Sequence, residues 1–162
     1  MGPVNHQRTS TRGFSLIELV IVVVIIGIIG AIAIPRMSRG AAGASESALV
    51  GNLSVLRNAL DLYATEHDGD FPTLDDIADQ LTGFTDIQGN VNPDAERATP
   101  YIYGPYLRSV PPLPVGSNRG ETGFAAAQGT ADAGWIYDAD TGHIEPNTED
   151  ETDGGGELFR EY

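Results

Sequence analysis

An apolar run of 21 residues, from Phe14 to Ile34, constrains this chain more than any other feature of its sequence. Ser15 and Glu18 are the only clearly polar residues within it. As an α-helix the run would be about 31 Å long, close to the roughly 30 Å hydrocarbon core of a bilayer. The sequence therefore predicts a membrane-spanning helix over residues 14–34 with one carboxylate inside it.

The flanks of the run predict how it is oriented. Arg8 and Arg12 precede it, and residues 1–13 contain no acidic residue, which favours a cytoplasmic amino end and translocation of the rest. Arg36 and Arg39 on the other side weaken this inference without reversing it. A secretory signal peptide would have a shorter apolar core, so we interpret the run as a lasting anchor.

Four features follow one another in a fixed order around this run. They are the Gly13-Phe14 junction, Glu18 at the fifth position counted from Phe14, the apolar run itself, and Pro35 at its end. In this order they resemble the amino termini of type IV pilin and type II secretion pseudopilin precursors. The resemblance implies cleavage between Gly13 and Phe14 by a prepilin peptidase, a membrane aspartyl peptidase that also N-methylates Phe14. Residues 1–13 would then be a discarded cytoplasmic leader.

Glu18 needs an explanation, because an ionised carboxylate within a membrane costs several kcal/mol unless it is paired. The resemblance implies that Glu18 pairs with the freed amino group of Phe14 in a neighbouring subunit, so removal of the leader creates its partner. The alternative is that Glu18, near the start of the segment, reaches the lipid headgroups.

Gly27, Gly30 and Pro35 are expected to weaken the same helix. Glycine destabilises a helix interior, and Pro35 removes a hydrogen bond and crowds the preceding turn, which predicts a kink near Pro35. The resemblance also implies local unwinding over about residues 27–35. Alternatively, the glycines allow close packing between helices in the membrane.

Residues 35–67 have the pattern of an amphipathic continuation of the helix. Apolar residues recur there at spacings of 4, 3, 4 and 3, which places them on one face. They are Leu49, Leu53, Leu56, Leu60 and Tyr63. We predict that a head over residues 68–146 packs against this stripe, because a segment of that size is too small to build a generous core alone.

Within the head, the sequence predicts one short helix and one hairpin. Thr73 is predicted to cap the helix, whose apolar positions are Leu74, Ile77, Ala78 and Leu81. Residues 89–129 are rich in Gly, Pro, Asn and Ala and are interpreted mostly as loop. Residues 134–138 and 143–145 flank a turn-rich connection and are predicted to form a hairpin.

These elements predict an α+β fold in which a long amino-terminal helix packs against a small head with a short helix and an antiparallel sheet. This order resembles the pilin-like fold of the major pseudopilins. Residues 147–162 contain six acidic residues and three consecutive glycines, and are predicted to be a flexible acidic tail.

Charge and composition narrow the possible partners and chemistry. The chain carries a net charge of -14, and loss of Arg8 and Arg12 with the leader would bring it to -16. Nucleic acid is not expected as a partner, because phosphate contacts need clustered positive charge. The chain has no Cys, and His6, His67 and His143 have no catalytic motif around them, so catalysis is not expected.

One metal site is suggested by Asp138 and Asp140, two carboxylates that precede Gly142. Oxygen ligands in a loop suit Ca²⁺, and the resemblance to major pseudopilins implies Ca²⁺ in a nearby head loop. The spacing and the bidentate Glu of an EF-hand are missing, and Asp and Gly are also typical of hairpin turns. Both interpretations stay open, and no other cofactor is expected.

The function predicted from these features is that of a structural subunit of a type II secretion pseudopilus. The alternative is a pilin of a surface type IV pilus, with a role in adhesion, motility or DNA uptake. The lack of a carboxy-terminal cysteine pair, the acidic head and the small size favour the pseudopilus. A plain single-span anchor would leave the ordered motif as coincidence.

The expected location is the bacterial inner membrane, with a single pass, a cytoplasmic amino end and a periplasmic or otherwise extracytoplasmic head, before assembly into a filament. The expected partners are further copies of the chain, other pseudopilins, the prepilin peptidase, an inner-membrane assembly platform and membrane lipid.

Overall fold

The structure of the chain is a computed structural model. It describes the backbone of residues 14–94 and 96–162, with the side chains of these residues except those of residues 32–40. The described residues fall into two compact units, which divide between Arg39 and Gly40. Helix α1 spans Leu16–Glu66.

In the second unit, the apolar stripe of α1 forms one wall of the core. Leu49, Leu53, Leu56, Leu60 and Tyr63 are each at most 2% exposed. They pack with apolar residues contributed by the rest of the unit, among them Ile77, Leu81, Leu107, Leu113, Trp135, Tyr137 and Ile144. The prediction that the head packs against this stripe is confirmed.

Helix α1 ends where the sequence Asp68-Gly69-Asp70 begins to turn the chain. Asp68 and Gly69 both have positive φ angles, of 56° and 95°. The amide of Gly69 donates to the carbonyl of Ala64 at 2.8 Å, which satisfies one of the last helical acceptors. The left-handed backbone at this point, where glycine has no steric cost, directs the chain away from the helix axis.

The short helix α2 spans Ile77–Thr82, with Ile77, Gln80 and Leu81 buried. Asp76 is its N-cap, without a side-chain capping hydrogen bond. The prediction that Thr73 caps this helix is wrong, because residues 74–76 form a turn before the helix begins. The amide of Thr73 instead donates to the side-chain oxygen of Gln80 at 2.9 Å.

Three strands form the sheet of the described residues, in the order β1-β2-β3. They are β1 (Gly123–Ala125), β2 (Ala133–Asp138) and β3 (His143–Pro146). The predicted hairpin is confirmed, since β2 and β3 pair antiparallel. The sheet is mixed rather than antiparallel, because β1 pairs parallel to β2. Strand β1 lies in the segment that was interpreted as loop. Its three residues are too few to show a period-2 pattern.

Residues 147–162 pack against the head, which corrects the prediction of a flexible tail. Asn147 is fully buried, and its side-chain amide donates to the carbonyls of Ala133 at 2.7 Å and Thr130 at 2.8 Å. A 3₁₀-helix over Phe159–Glu161 places Phe159 in the core at 8% exposure. The prediction of a tail rested on the many acidic side chains of this segment. A few buried groups, such as Phe159, nevertheless hold its backbone against the head.

Candidate functional site at the start of the long helix

The first turn of α1 contains the acidic half of a capping box, in which the third helical residue accepts the amide of the residue before the helix. Ser15 precedes the helix, and its carbonyl accepts the amide of Leu19 at 3.2 Å. The carboxylate of Glu18 reaches back, and its Oε2 accepts the amide of Ser15 at 3.2 Å. An acidic residue at the third helical position satisfies a free amide and interacts favourably with the helix dipole. Glu18 is therefore held beside the amino end of its own helix.

This contact was not predicted, although Ser15-Leu16-Ile17-Glu18 contains the S-x-x-E pattern that signals it. The cap bears on the role of Glu18. Glu18 is three residues from Ser15 in sequence, and its carboxylate contacts the Ser15 amide. Ser15 directly follows Phe14, the predicted new amino terminus. The group that Glu18 contacts therefore belongs to the residue next to the predicted new amino terminus.

The surface that follows Glu18 is apolar and exposed. Each large hydrophobic residue of this segment from Phe14 to Ile29 is at least 45% exposed. An apolar surface of this extent on an isolated chain marks a region that lipid or protein covers. Among the described residues, no helix combines the length and the apolar character needed to cross a membrane.

Helix α1 runs continuously past the predicted kink positions. Gly27, Gly30 and Pro35 all lie within Leu16–Glu66. A Cβ added at Gly27 or Gly30 would meet no atom within 4 Å, so the fold of the chain itself does not require glycine there. Unwinding over residues 27–35 stays a prediction. The leader, residues 1–13, and with it Gly13 of the cleavage site, lies outside the described residues.

Asp138 is the last residue of β2, and Asp140 lies in the turn that follows it. The carboxylate of Asp138 accepts the amide of Asp140 at 2.9 Å and the hydroxyl of Thr141 at 2.8 Å. Hydrogen bonds from Thr141 and Asp140 hold the pKa of Asp138 below its ordinary value. Within the part of the chain that the structure describes, no three or more His or acidic side chains are grouped to hold a metal. Asp138 shapes the turn, and Ca²⁺ binding stays a prediction.

A comparison with protein families identifies the amino-terminal segment. Residues 8–34 match the family described as the prokaryotic N-terminal methylation motif. The chain has a prepilin-type amino terminus. The matched range includes Gly13, Phe14 and Glu18, on which the predicted resemblance depends, and ends one residue before Pro35. Neither the curated proteins nor the solved structures compared with the chain gave a significant match.

The motif supports a type IV pilin-like precursor that a prepilin peptidase processes and that assembles into pilus-like filaments. It also suggests anchoring in the inner membrane. The long amino-terminal helix, the further short helix and the small sheet agree with an α+β, pilin-like fold.

Proposed function

We propose that this chain is a structural subunit of a type II secretion pseudopilus. The precursor inserts into the inner membrane in a single pass, with a cytoplasmic leader and an extracytoplasmic head. Cleavage between Gly13 and Phe14 then produces an N-methylated Phe14. The mature chain polymerises through its amino-terminal helix, together with other pseudopilins on an inner-membrane assembly platform, and growth of the filament drives protein export.

The observation that supports a pilin-like subunit is the match of residues 8–34 to the methylation motif, with an acid held at the start of an exposed apolar helix. The choice of a secretion pseudopilus rests on the lack of Cys and on the acidic charge of the chain. Inside a filament, neighbouring copies would cover the apolar side chains from Phe14 onward. Water would then be excluded from the Glu18 carboxylate, and its charge would need a partner. The methylated amino group of Phe14 in a neighbouring copy provides a cation of the right sign.

The order of events follows from the same pairing. Before cleavage, the Phe14 nitrogen is a peptide nitrogen without charge, so the precursor has no cation to offer Glu18. Cleavage creates the cation at the residue next to the Ser15 amide that Glu18 caps. Removal of the leader therefore provides the second charge of the ion pair, and assembly becomes possible only after this step. Loss of one partner of a buried pair costs about 3 to 5 kcal/mol per contact.

Two substitutions at Glu18 separate its charge from its cap. Glu18→Gln keeps an oxygen that can accept the Ser15 amide, because both Glu and Gln serve in a capping box. Glu18→Ala removes both the cap and the charge. We expect both variants to be cleaved and inserted normally and neither to yield filaments. The measurement compares cleaved monomer with sheared filament in cells that express each variant.

Ser15→Ala is the matched control, since it changes the same turn and leaves the Glu18 charge in place. Normal filament yield from Glu18→Gln would reject the pairing mechanism and leave Glu18 as a helix cap or a group that reaches the headgroups.

Deletion of the gene tests the type of filament. If the chain is a pseudopilus subunit, we expect the deletion strain to lose proteins from its secreted fraction and to keep its surface filaments. Loss of surface filaments with normal secretion would instead assign the chain to a surface type IV pilus. Scoring both in the same deletion strain, with the gene restored as control, decides between the two.

A further inference from the structure

The head unit, residues 40–162, has a large excess of negative charge. It contains 22 acidic residues and five Arg, which gives a net charge of -17 at pH 7 with His neutral. Residues 14–39 contain only Glu18, Arg36 and Arg39 as charged residues and have a net charge of +1. The negative charge that remains after loss of the leader therefore belongs to the head.

Little of this charge is neutralised within the fold. Among the described residues, Arg160 is the only Arg in an ion pair, and it lies 3.1 Å from Asp150. Arg57 and Arg97 donate to backbone carbonyls instead. The other ion pair of the described residues has a histidine as its basic member, which is charged only when it is protonated. One of the 22 carboxylates of the head is therefore paired with an Arg of the same copy.

Hydrogen bonds keep two further carboxylates ionised. The amide of Glu157 donates to Asp153 at 2.8 Å, and the hydroxyl of Thr141 donates to Asp138 at 2.8 Å. These bonds hold the pKa of both carboxyls below its ordinary value. The charges of Asp138 and Asp153 are therefore fully present at neutral pH.

The acids are concentrated around the end of α1 and around α2. Between Arg57 and Arg97 the sequence contains ten acidic residues and no Lys or Arg. Seven of the ten lie between Asp61 and Asp79, and all seven are exposed. None of the seven joins an ion pair with another described side chain. This region of one copy repels the same region of any other copy.

The range of the repulsion depends on salt. A compact unit of 123 residues has a radius of gyration of about 14 Å. The Debye length is about 30 Å at an ionic strength of about 0.01 M and about 3 Å at about 1 M. At low salt each head therefore experiences the whole charge of its neighbours, whereas at high salt only charges in near contact interact.

We propose that ionic strength controls polymerisation of the chain: repulsion between heads opposes filament growth at low salt, and screening by mobile cations permits it at high salt. The proposal rests on the proposed function, in which copies of the chain polymerise. A large net charge of one sign keeps proteins monomeric, so each copy that joins the filament must overcome repulsion from the copies already in it. Screening is diffuse and requires no bound ion.

Sedimentation of filaments at two salt concentrations tests the proposal. Filaments sheared from cells that express the full chain are incubated in about 1 M or about 0.01 M NaCl, which spans this range of Debye lengths. We expect about tenfold more dissociated chain at low salt, because the screening is then lost. An unchanged sedimenting fraction overturns the proposal. So does a larger sedimenting fraction at low salt, since this would show that ion pairs between heads hold the filament together.

Charge variants separate long-range repulsion from a local contact. One variant combines Asp61→Asn with Asp75→Asn, and its control combines Asp61→Glu with Asp75→Glu, which keeps the charge. A second neutral variant combines Glu157→Gln with Glu161→Gln; all four positions are exposed. Because the low-salt Debye length is about as large as the head, we expect both neutral variants to reduce dissociation by a similar factor, about twofold or more. A reduction in one neutral variant alone, or in the Glu control as well, overturns the proposal.

Two cations of equal charge distinguish screening from a specific site. Calcium chloride and magnesium chloride are added at equal concentration to wild-type filaments in low salt. We expect both to reduce dissociation equally, because screening depends on the charge and concentration of the ions. An effect of Ca²⁺ alone would assign control of polymerisation to a bound ion and overturn the proposal.

Trp135 shows whether the head stays folded at low salt. It is the only Trp of the chain and is fully buried, so unfolding would shift its emission. We expect the same emission spectrum at both salt concentrations. A shift at low salt would place the repulsion within single heads and overturn its role between copies.

A measurement on single copies separates failure of this proposal from failure of the proposed function. Static light scattering gives the second virial coefficient of the full chain in an uncharged detergent. We expect a positive coefficient at about 0.01 M NaCl that falls at about 1 M, and a smaller low-salt value for both neutral variants. A coefficient that does not change with salt overturns the proposal. If no filaments form at any salt concentration, the proposed function fails, and the coefficient still decides whether the copies repel one another.

Discussion

Truncation of Leu56 tests whether the upper part of α1 belongs to the core of the head. Leu56 is 0% exposed and lies in the middle of the apolar stripe, with Leu53 and Leu60 on either side. Leu56→Ala leaves a cavity lined by side chains that cannot fully collapse, which costs about 2 to 5 kcal/mol. Since a domain is stable by only about 5 to 15 kcal/mol, this loss is a large part of the total.

The head unit Gly40–Tyr162 contains every residue of the main core and provides its own probe. Trp135 is the only Trp of the chain and is fully buried, so its fluorescence reports unfolding in urea. Val55→Ala is the control on the same turn, because Val55 is 49% exposed and should change stability by no more than about 0.5 kcal/mol. Similar losses for the two variants would refute the assignment of the stripe to the core.

Three further predictions concern the head. Burial raises the pKa of Asp86, but hydrogen bonds from Asn90 and Gln88 more than offset this and hold it below its ordinary value. A depressed carboxyl pKa stabilises the fold above the unfolded value of about 3.9, and this stability disappears as the pH falls through the folded pKa. Urea midpoints should therefore fall between pH 5 and pH 3 by less in Asp86→Asn than in wild type, and equal falls would count against the assignment. Calcium at millimolar concentration should raise the melting temperature if Asp138 is a ligand, and Asp138→Ala should abolish that rise; an unchanged wild-type melting temperature would mean that the loop is only a turn. Gly142→Ala should cost more than about 1 kcal/mol, because Gly142 has a φ of 71° and an added Cβ would collide with the ring of Phe71. A melting temperature like that of wild type would contradict this reading of the turn.

Local patterns predicted the parts of the fold that depend on neighbours in sequence. The stripe from Leu49 to Tyr63 repeats with a helix period, and the hairpin of β2 and β3 is indicated by the turn-rich connection between its strands; both are confirmed. Strand β1 was missed because three residues give no period, and its pairing with β2 depends on the chain between them. The carboxy-terminal segment was misjudged because Asn147 and Phe159 are held by distant partners that composition does not reveal.

The residues of the candidate site were likewise predictable where they depend on neighbours in sequence. Glu18 and Phe14 were identified by the order of residues along the chain, and the family match includes both. The cap that joins Glu18 to Ser15 was also readable, as a local S-x-x-E pattern. The cleft in the head that Tyr63 and Asp140 both line was not readable from the sequence, because its residues come from the end of α1 and from a turn more than 70 residues later.

The mass of the mature amino terminus shows whether the chain is processed as a prepilin. The protein is purified from membranes of cells that contain a prepilin peptidase, and its intact mass and amino-terminal peptide are measured. The account predicts a chain that begins at an N-methylated Phe14, and Gly13→Val should leave the full-length precursor. A mature chain that starts after Ala33, or a wild-type chain that keeps residues 1–13 beside an active peptidase, would contradict it.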